Sequence, residues 1–184
     1  GVSGDMHILY IVQHFSGPNG NGWMRPYENP RRLVLIGHQV TLLCGMYDRA
    51  SAKDIEAAQA ANIHIVQIPV AYQQKFSYFR RLLSFNDYML SAIKVAKGLP
   101  KPDLVYASSP PLTVGEIGRV VARHHRVPFV FEVRDLWPEI AVGMGALNNP
   151  VLRFLVYEMT RRIYREVDHV VALAPPVGER VAAL

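Results

Sequence analysis

The residue types best suited to chemistry are concentrated at the end of one apolar segment. Residues 129–133 read as a buried strand. Charged side chains and an indole lie within eight positions of one another: Glu132, Arg134, Asp135, Trp137 and Glu139. One interpretation is an ion pair between Arg134 and Glu132, with Asp135 capping the next turn. The other is a ligand site, in which these groups bind polar atoms while the indole stacks on a pyranose ring. We favour the ligand site because strand ends of this kind line the binding edge of α/β sheets.

A glycine-rich segment after the first apolar run is the second candidate. Gly17, Gly20 and Gly22 precede a predicted helix, and Arg25 lies in its first turn. Glycines let a backbone approach a ligand closely, and the N–H groups at a helix start attract anions. The pattern therefore predicts a phosphate-binding loop, although its spacing is neither that of the dinucleotide fingerprint nor that of the P-loop. A surface turn that binds nothing explains the same residues equally well.

Polar side chains are expected at two further strand ends. Ser108 and Ser109 follow one apolar run, and His14 lies at the end of the first. Ser109 is expected to cap the next helix, whose first turn tolerates the prolines that follow it. Hydrogen bonds from either serine to a sugar hydroxyl or a phosphate are the second expectation. His14 is expected to be a satisfied polar residue, with phosphate binding or acid–base chemistry as the alternative.

The elements that must position these residues alternate along the chain. Predicted strands span six apolar runs: 7–15, 39–44, 63–70, 104–107, 129–133 and 169–173. Predicted helices lie between and after them: 22–36, 52–61, 76–97, 112–125, 150–167 and a last one that begins near 176. Near-continuous Val, Ile, Leu and Phe is typical of strands buried on both faces. The alternation predicts an α/β domain with a Rossmann-like, doubly wound parallel sheet of about six or seven strands and helices on both faces.

The composition excludes several classes of protein. Of 184 residues, 50% are hydrophobic and 19% are charged, which predicts a folded chain with a core rather than a disordered one. Cys44 is the single cysteine, so a reducing cytoplasmic location is expected. No apolar run is long enough to span a membrane, and no metal-binding or nucleophile-elbow motif occurs. The net charge of +5 favours an anionic partner. Nucleic acid is not expected, because the basic residues do not interleave with stacking aromatics.

A basic helical segment is the candidate contact with a membrane. Residues 75–101 carry six basic side chains against the single acid Asp87. On a helical wheel Tyr88 falls opposite the predicted apolar face and Phe85 falls on its flank. The apolar face consists of Phe79, Leu82, Leu83, Leu90 and Ile93. A second apolar strip beside cations fits an anionic membrane surface, a lipid-like substrate or another domain.

Together these motifs resemble the N-terminal domain of a retaining GT-B glycosyltransferase of family 4. The resemblance is greatest to the bacterial branch that builds capsule, O-antigen or colanic-acid-type polysaccharides, including L-fucosamine transferase-like proteins. It covers nearly all of residues 6–184 and is most specific in four segments: 108–113, 129–139, 143–146 and 168–174.

The resemblance implies two domains with different tasks. This one would bind mainly the acceptor, and a C-terminal domain absent from this chain would bind the nucleotide-sugar donor. In the family the glycine-rich first loop reaches the donor diphosphate, which maps here onto Gly20, Gly22 and Arg25, although the usual adjacent glycines are replaced by Gly20-Asn21-Gly22. Asp135 takes the place of a histidine that many relatives carry near the transferred sugar, and it is the expected catalytic residue.

The other polar residues of this edge are expected to bind the acceptor or the sugar: His14, Ser108, Ser109, Arg134, Trp137 and Glu139. No metal or cofactor is expected, because an arginine and backbone N–H groups can stabilise the leaving phosphate.

The leading hypothesis is the acceptor-binding domain of a hexosyl- or N-acetylhexosaminyl-type transferase in bacterial cell-surface polysaccharide biosynthesis. Its expected acceptor is a polyprenyl-diphosphate-linked saccharide at the cytoplasmic face of the inner membrane. Residues 1–5 look like a remnant of an expression tag, and the chain stops within a predicted helix. Because the resemblance implies that this chain holds only half of the cleft, it is expected to be inactive alone. The alternatives are a GT-B sugar-nucleotide 2-epimerase and a non-catalytic module that binds a membrane or a partner. A Rossmann oxidoreductase is disfavoured because the G-x-G-x-x-G spacing is missing.

Overall fold

Six strands and five helices account for most of the residues that the computed structural model describes, which are 4–19, 25–46, 52–70, 77–109, 111–134 and 148–172. The strands are β1 (His7–Ile11), β2 (Gln39–Met46), β3 (Ile63–Pro69), β4 (Leu104–Ser108), β5 (Phe129–Val133) and β6 (His169–Ala172). The helices are α1 (Arg25–Leu35), α2 (Ala52–Ala60), α3 (Tyr78–Gly98), α4 (Thr113–His125) and α5 (Pro150–Glu166).

All six strands are parallel, and their order in the sheet is β3-β2-β1-β4-β5-β6. Ile8 of β1 is in register with Val40 of β2 on one side and with Leu104 of β4 on the other. The chain therefore builds one half of the sheet outwards from β1, crosses over after β3 and builds the other half from β4. This order confirms the predicted Rossmann-like, doubly wound α/β fold, and it places the topological switch point between β1 and β4.

The sheet is buried on both faces, as its apolar strands predict. Leu9 and Ile11 of β1 pack in the core beneath α3, α4 and α5, whereas Tyr10 and Val12 pack in the core beneath α1 and α2. Alternate side chains of a strand point to opposite faces, so β1, β2, β3 and β4 contribute to both cores, whereas β5 and β6 contribute to the core beneath α3, α4 and α5.

Helix α4 lies very close to β4 and β5 because two of its residues are glycines. A Cβ atom on Gly115 would lie 2.9 Å from Cζ of Phe131. A Cβ atom on Gly118 would lie 2.9 Å from Cβ of Ala107 and would also overlap the ring of Phe129. The absence of side chains at these two positions sets the distance between the helix and the sheet.

Helix α3 packs with a different face than the helical wheel predicts. Tyr88 is fully buried, and its hydroxyl donates a hydrogen bond of 2.5 Å to the carbonyl of Val12. Of the predicted apolar face, Phe79, Leu83 and Leu90 are 68%, 48% and 58% exposed, whereas Ile93 packs against the core. The prediction of the buried face was wrong because small residues one and two turns from Tyr88 let the helix pack closely on that side. A helical wheel gives most weight to large apolar residues and therefore does not identify this face.

The expected N-cap of α4 is also wrong. The helix begins at Thr113, and the cap position is Leu112, whose side chain makes no capping hydrogen bond. Ser109 lies four residues before the helix and bonds to β5 instead, as described below.

The remaining boundaries differ only slightly from the prediction. Strand β1 ends at Ile11 rather than residue 15. Helix α1 is described from Arg25, and the predicted start at residue 22 lies outside the described residues. The helix predicted from residue 176 lies outside the described residues. In the part of the chain that the structure describes, no helix is both long and apolar enough to cross a bilayer, and no three His, Cys, Asp or Glu side chains are grouped as metal ligands.

Candidate functional site at the carboxyl edge of the sheet

A buried carboxylate, that of Glu132, lies at the carboxyl end of β5 and is 1% exposed. It accepts hydrogen bonds from Nε of Arg134 at 3.0 Å and from the Ser108 hydroxyl at 3.3 Å. Nη1 of Arg25 and Nδ2 of Asn29 each lie 3.5 Å from it, and the Tyr106 hydroxyl makes a short hydrogen bond to Oε2. The donors thus come from α1, from β4 and from the residue after β5.

The fold brings these donors together in two ways. Ser108 and Glu132 are register partners at the ends of β4 and β5. Arg25 and Asn29 lie one turn apart at the start of α1, so both side chains point the same way. The confirmed parallel order makes the start of α1 and the ends of β4 and β5 share one edge.

Two stacked tyrosines lie beside the carboxylate. The rings of Tyr10 and Tyr106 have centroids 4.7 Å apart, and the Tyr10 hydroxyl accepts from Nδ2 of Asn29 at 3.3 Å. Burial, and then the nearby charge of Glu132, raises the pKa of Tyr10 to about 12. Burial and the hydrogen bond to Glu132 raise the pKa of Tyr106 as well. Both hydroxyls therefore stay protonated at neutral pH, and Tyr106 remains a donor to Glu132.

The charged groups of this cluster leave an excess of positive charge. Two guanidinium groups share the one carboxylate of Glu132. The Arg25 side chain is 37% exposed, whereas that of Arg134 is 10% exposed and that of Glu132 is 2% exposed. The cation that reaches solvent is therefore Arg25, and its charge and N–H donors suit an anion such as a phosphate.

The two serines form hydrogen bonds that hold the groups of this site in place. Ser108 donates to the Glu132 carboxylate, as stated above. The Ser109 hydroxyl donates to the Glu132 carbonyl and accepts from the Arg134 backbone N–H, both at 3.1 Å. Ser109 thus joins the loop after β4 to the loop after β5. Both serines are buried, at 2% and 5% exposure, and the sugar contacts expected of their hydroxyls stay predictions.

The start of the glycine-rich loop is fixed by a residue from α2. The backbone N–H of Asn19 donates to Oδ1 of Asp54 at 2.9 Å. A Cβ atom on Gly17 would lie only 2.7 Å from the same oxygen, so glycine is required for this close approach. Asp54 is fully buried. Residues 17–19 are therefore an ordered turn held against α2, with Arg25 following six residues after Asn19.

Several expected site residues lie outside the described residues: Gly20, Gly22, Asp135, Trp137 and Glu139. Their assignments stay predictions. His14 is described and is exposed at the carboxyl edge, two residues beyond Val12. The ion pair between Arg134 and Glu132, which the sequence predicts as the alternative to a ligand site, is present, and Arg25 also pairs with Glu132.

Sequence reasoning missed four residues of this edge: Tyr10, Asn29, Asp54 and Tyr106. The two tyrosines lie inside apolar strands and read as core. Their matching positions, one and two residues before the ends of β1 and β4, were the available signal, because β1 and β4 are register neighbours at Tyr10 and Tyr106. Asn29 and Asp54 lie in helices, where nothing in the sequence relates them to a strand end.

Comparison with known proteins places this architecture in a sequence family. A family model described as a glycosyl transferase 4-like domain matches residues 28–184. No curated protein is similar enough in sequence to count as a relative.

Solved structures share the fold at low sequence identity. Alr3699/HepE of Anabaena, in complex with UDP and glucose, has a TM-score of 0.54 and 15% identity over 97% of this chain and 41% of its own. UGT89C1 of Arabidopsis thaliana, in complex with UDP, has a TM-score of 0.61 and 14% identity over 98% of this chain and 49% of its own. The C-terminal domain of the PF1911 hydrogenase of Pyrococcus furiosus also matches, with a TM-score of 0.52 and 19% identity over 68% of this chain and 90% of its own.

The chain thus spans between two fifths and one half of the two GT-B glycosyltransferases, HepE and UGT89C1. At these identities the likeness concerns the fold alone, and the match to a hydrogenase domain illustrates that one fold serves several functions.

Proposed function

Because the chain belongs to the family of glycosyl transferase 4-like domains, we propose that it is the acceptor-binding domain of a retaining, nucleotide-sugar-dependent glycosyltransferase. The observation that carries the proposal is the cluster of Arg25, Glu132 and Arg134 at the carboxyl edge. It offers a solvent-reaching cation beside buried, hydrogen-bonded polar groups at the switch point of the sheet.

The chemistry of sugar transfer fits these groups. As the bond to a nucleoside diphosphate breaks, positive charge develops on the sugar and negative charge on the leaving phosphate. Arg25 is placed to stabilise the leaving phosphate. Asp135, one residue beyond Arg134, is our candidate for the carboxylate that stabilises the sugar. Gly20 and Gly22 are our candidates for backbone contacts to the diphosphate.

We assign the donor mainly to a second domain. The two GT-B structures that hold UDP are each about twice the length that this chain covers. A uridine or other nucleoside diphosphate sugar bound by the second domain would present its diphosphate to Arg25 across the cleft. The transferred sugar is of the hexosyl or N-acetylhexosaminyl type.

We assign the acceptor to a polyprenyl-diphosphate-linked saccharide of bacterial cell-surface polysaccharide synthesis, at the cytoplasmic face of the inner membrane. Exposed apolar side chains support a peripheral membrane contact. Phe79 and Leu83 lie near the start of α3, and Val151, Phe154 and Leu155 lie near the start of α5. Both helices pack on α4 and begin at the carboxyl edge, so both apolar surfaces flank the proposed acceptor site.

The test is a transfer assay with the complete gene product that contains this chain. It is incubated with a panel of nucleotide sugars and a polyprenyl-diphosphate-linked saccharide, and nucleoside diphosphate and lipid-linked product are measured. We expect transfer from one donor and loss of at least about a hundredfold in kcat for Asp135→Ala. His64→Ala, on the outer strand β3, is the matched control.

Two results would overturn the proposal. The first is the absence of transfer from every donor. The second is an Asp135→Ala variant as active as the wild-type protein. Release of nucleoside diphosphate with a free epimerised sugar and no acceptor product would instead identify a sugar-nucleotide 2-epimerase.

A further inference from the structure

The Glu132 carboxylate has no capacity left for a substrate. A carboxylate has about four lone-pair positions. Five donors already approach it: Arg25, Asn29, Tyr106, Ser108 and Arg134. With a side chain only 2% exposed, Glu132 cannot itself contact a ligand in this arrangement. Whatever it contributes to binding, it contributes through its partners.

Its charged partners are the two arginines of the edge. Nε of Arg134 and Nη1 of Arg25 both approach the same oxygen, Oε1. A guanidinium carries five N–H donors, and Arg25 uses one of them on Glu132. Among the described residues Arg25 has no second side-chain partner, so its remaining donors are directed by the single contact with Glu132.

The contact joins segments that are 107 residues apart in sequence. Arg25 begins α1 directly after the glycine-rich loop, and Arg134 begins the segment that leads to Asp135. Without the carboxylate, two guanidinium groups at one edge would repel each other, and the long Arg25 side chain would sample many rotamers.

We propose that Glu132 is a positioning residue that orients Arg25, with Arg134, for binding a diphosphate at the carboxyl edge. This inference rests on the proposed function only for the identity of the anion. It deepens that function by assigning a role to a buried residue that touches no substrate.

The direction in which Glu132→Gln changes the affinity for an anion separates positioning from simple electrostatics. Replacing Glu132 by glutamine removes a negative charge from a site that binds an anion. If the carboxylate served only as a counter-charge, Glu132→Gln would tighten anion binding. If it orients the arginines, Glu132→Gln weakens binding despite the more favourable charge.

The experiment titrates inorganic pyrophosphate into the 184-residue chain and follows the Nε–Hε signals of the arginines by 15N NMR. We expect saturable shifts for Arg25 in the wild-type chain and a Kd about five- to tenfold higher in Glu132→Gln. Glu116→Gln is the matched control, because Glu116 also pairs with an arginine, Arg119, but within α4. Its Kd is expected to stay at the wild-type value.

Three results would overturn the inference. These are no measurable pyrophosphate binding to the wild-type chain, a Kd in Glu132→Gln that is unchanged or lower, and an equal rise in Glu116→Gln.

A second variant keeps the inference testable if Glu132→Gln does not fold. Arg25→Lys keeps the positive charge but loses the planar fork that Glu132 holds, and its side chain lies at the surface. We expect its Kd for pyrophosphate to rise about fivefold as well. A Kd equal to that of the wild-type chain would contradict the proposed orientation.

The result of the pyrophosphate titration is independent of the result of the transferase assay. Weaker pyrophosphate binding in Glu132→Gln, together with no sugar transfer by the wild-type gene product, would overturn the proposed function and leave the positioning role. Sugar transfer by the wild-type gene product, together with pyrophosphate binding that Glu132→Gln leaves unchanged, would overturn the positioning role and leave the proposed function. In an active enzyme, Glu132→Gln is expected to raise the donor KM by a larger factor than it lowers kcat.

Discussion

Tyr10 and Tyr106 carry the clearest pH dependence at the scale of single residues. Each hydroxyl is held protonated by burial and by the neighbouring carboxylate of Glu132. A group whose pKa is higher in the folded chain than in the unfolded chain stabilises the fold below its unfolded pKa. That contribution is lost as the pH rises through its folded pKa.

For Tyr10 this window runs from the ordinary pKa of 10.0 to about 12. We expect the free energy of unfolding to fall across it, with roughly 3 kcal/mol of the loss due to Tyr10. Urea unfolding of the wild-type chain and of Tyr10→Phe at several pH values between 8 and 12 measures this share. An equally steep fall in both proteins would contradict it.

Cys44 offers a second test at the same scale. It is fully buried in β2, and burial raises the pKa of its thiol to about 12. The thiolate is the reactive form of cysteine. We therefore expect almost no reaction with Ellman's reagent in the native chain and complete reaction of this single thiol in urea. Rapid reaction without denaturant would show that β2 is not packed as described.

Gly17 tests the turn that begins the glycine-rich loop. A methyl group there would crowd the Asp54 carboxylate that holds Asn19. Gly17→Ala is expected to lower the free energy of unfolding by about 1–3 kcal/mol. It should also raise the donor KM of the active gene product.

Gly98 is the matched control for this substitution, because a Cβ atom there would meet nothing within 4 Å. Gly98→Ala at the end of α3 is expected to leave stability unchanged or to raise it by up to about 1 kcal/mol. Equal effects of the two substitutions on unfolding would argue against the anchored turn.

At the scale of elements, the position of α4 depends on residues without side chains. Gly118 lies against Ala107 of β4 and the Phe129 ring of β5, where a methyl group has no room. We expect Gly118→Ala to cost about 1–3 kcal/mol of stability, measured by urea unfolding against Gly98→Ala. A neutral substitution would mean that α4 can move away from the sheet freely.

The helices also show why local patterns predict an element better than its orientation. The segment from residue 76 was predicted as a helix and is one, but its buried face is formed by Ser84, Tyr88, Ala92 and Ala96. Three of these are small, and a hydropathy pattern gives them little weight. Close packing against β2, β3 and α4 selects them instead.

At the scale of the whole molecule, the outer surface of α3 and α5 predicts binding to an anionic bilayer. The chain carries a net charge of +5, and Phe79 and Phe154 are 68% and 63% exposed. We expect co-sedimentation with phosphatidylglycerol-containing vesicles at low salt, and weaker binding at high salt. A Phe79→Ser/Phe154→Ser double variant should bind at least about tenfold more weakly.

Leu35→Ser is the matched control, because Leu35 is 69% exposed on α1, which packs on the other face of the sheet. Its binding should equal that of the wild-type chain. No binding of the wild-type chain to anionic vesicles would remove the membrane contact and its support for a lipid-linked acceptor, but it would leave the proposed sugar transfer untouched. An equal loss of vesicle binding in the double variant and in Leu35→Ser would show that the outer surface of α3 and α5 is not the membrane-binding surface.

The sequence by itself determined the elements, the class of the fold and the family resemblance. Continuous apolar strands alternating with helices permit few arrangements other than a covered parallel sheet, and the segments around residues 108–113 and 129–139 indicate the glycosyltransferase family. The pairing of Arg134 with Glu132 was also within reach, because the two residues are neighbours in sequence.

Only the tertiary structure decided which distant residues meet. Arg25, Asn29 and Tyr106 reach Glu132 because strand order places the start of α1 beside the ends of β4 and β5, and Ser109 bonds to β5 rather than to its own helix. The physical reason is that local preferences act over a few residues, whereas a buried carboxylate must find its donors wherever the packed sheet brings them.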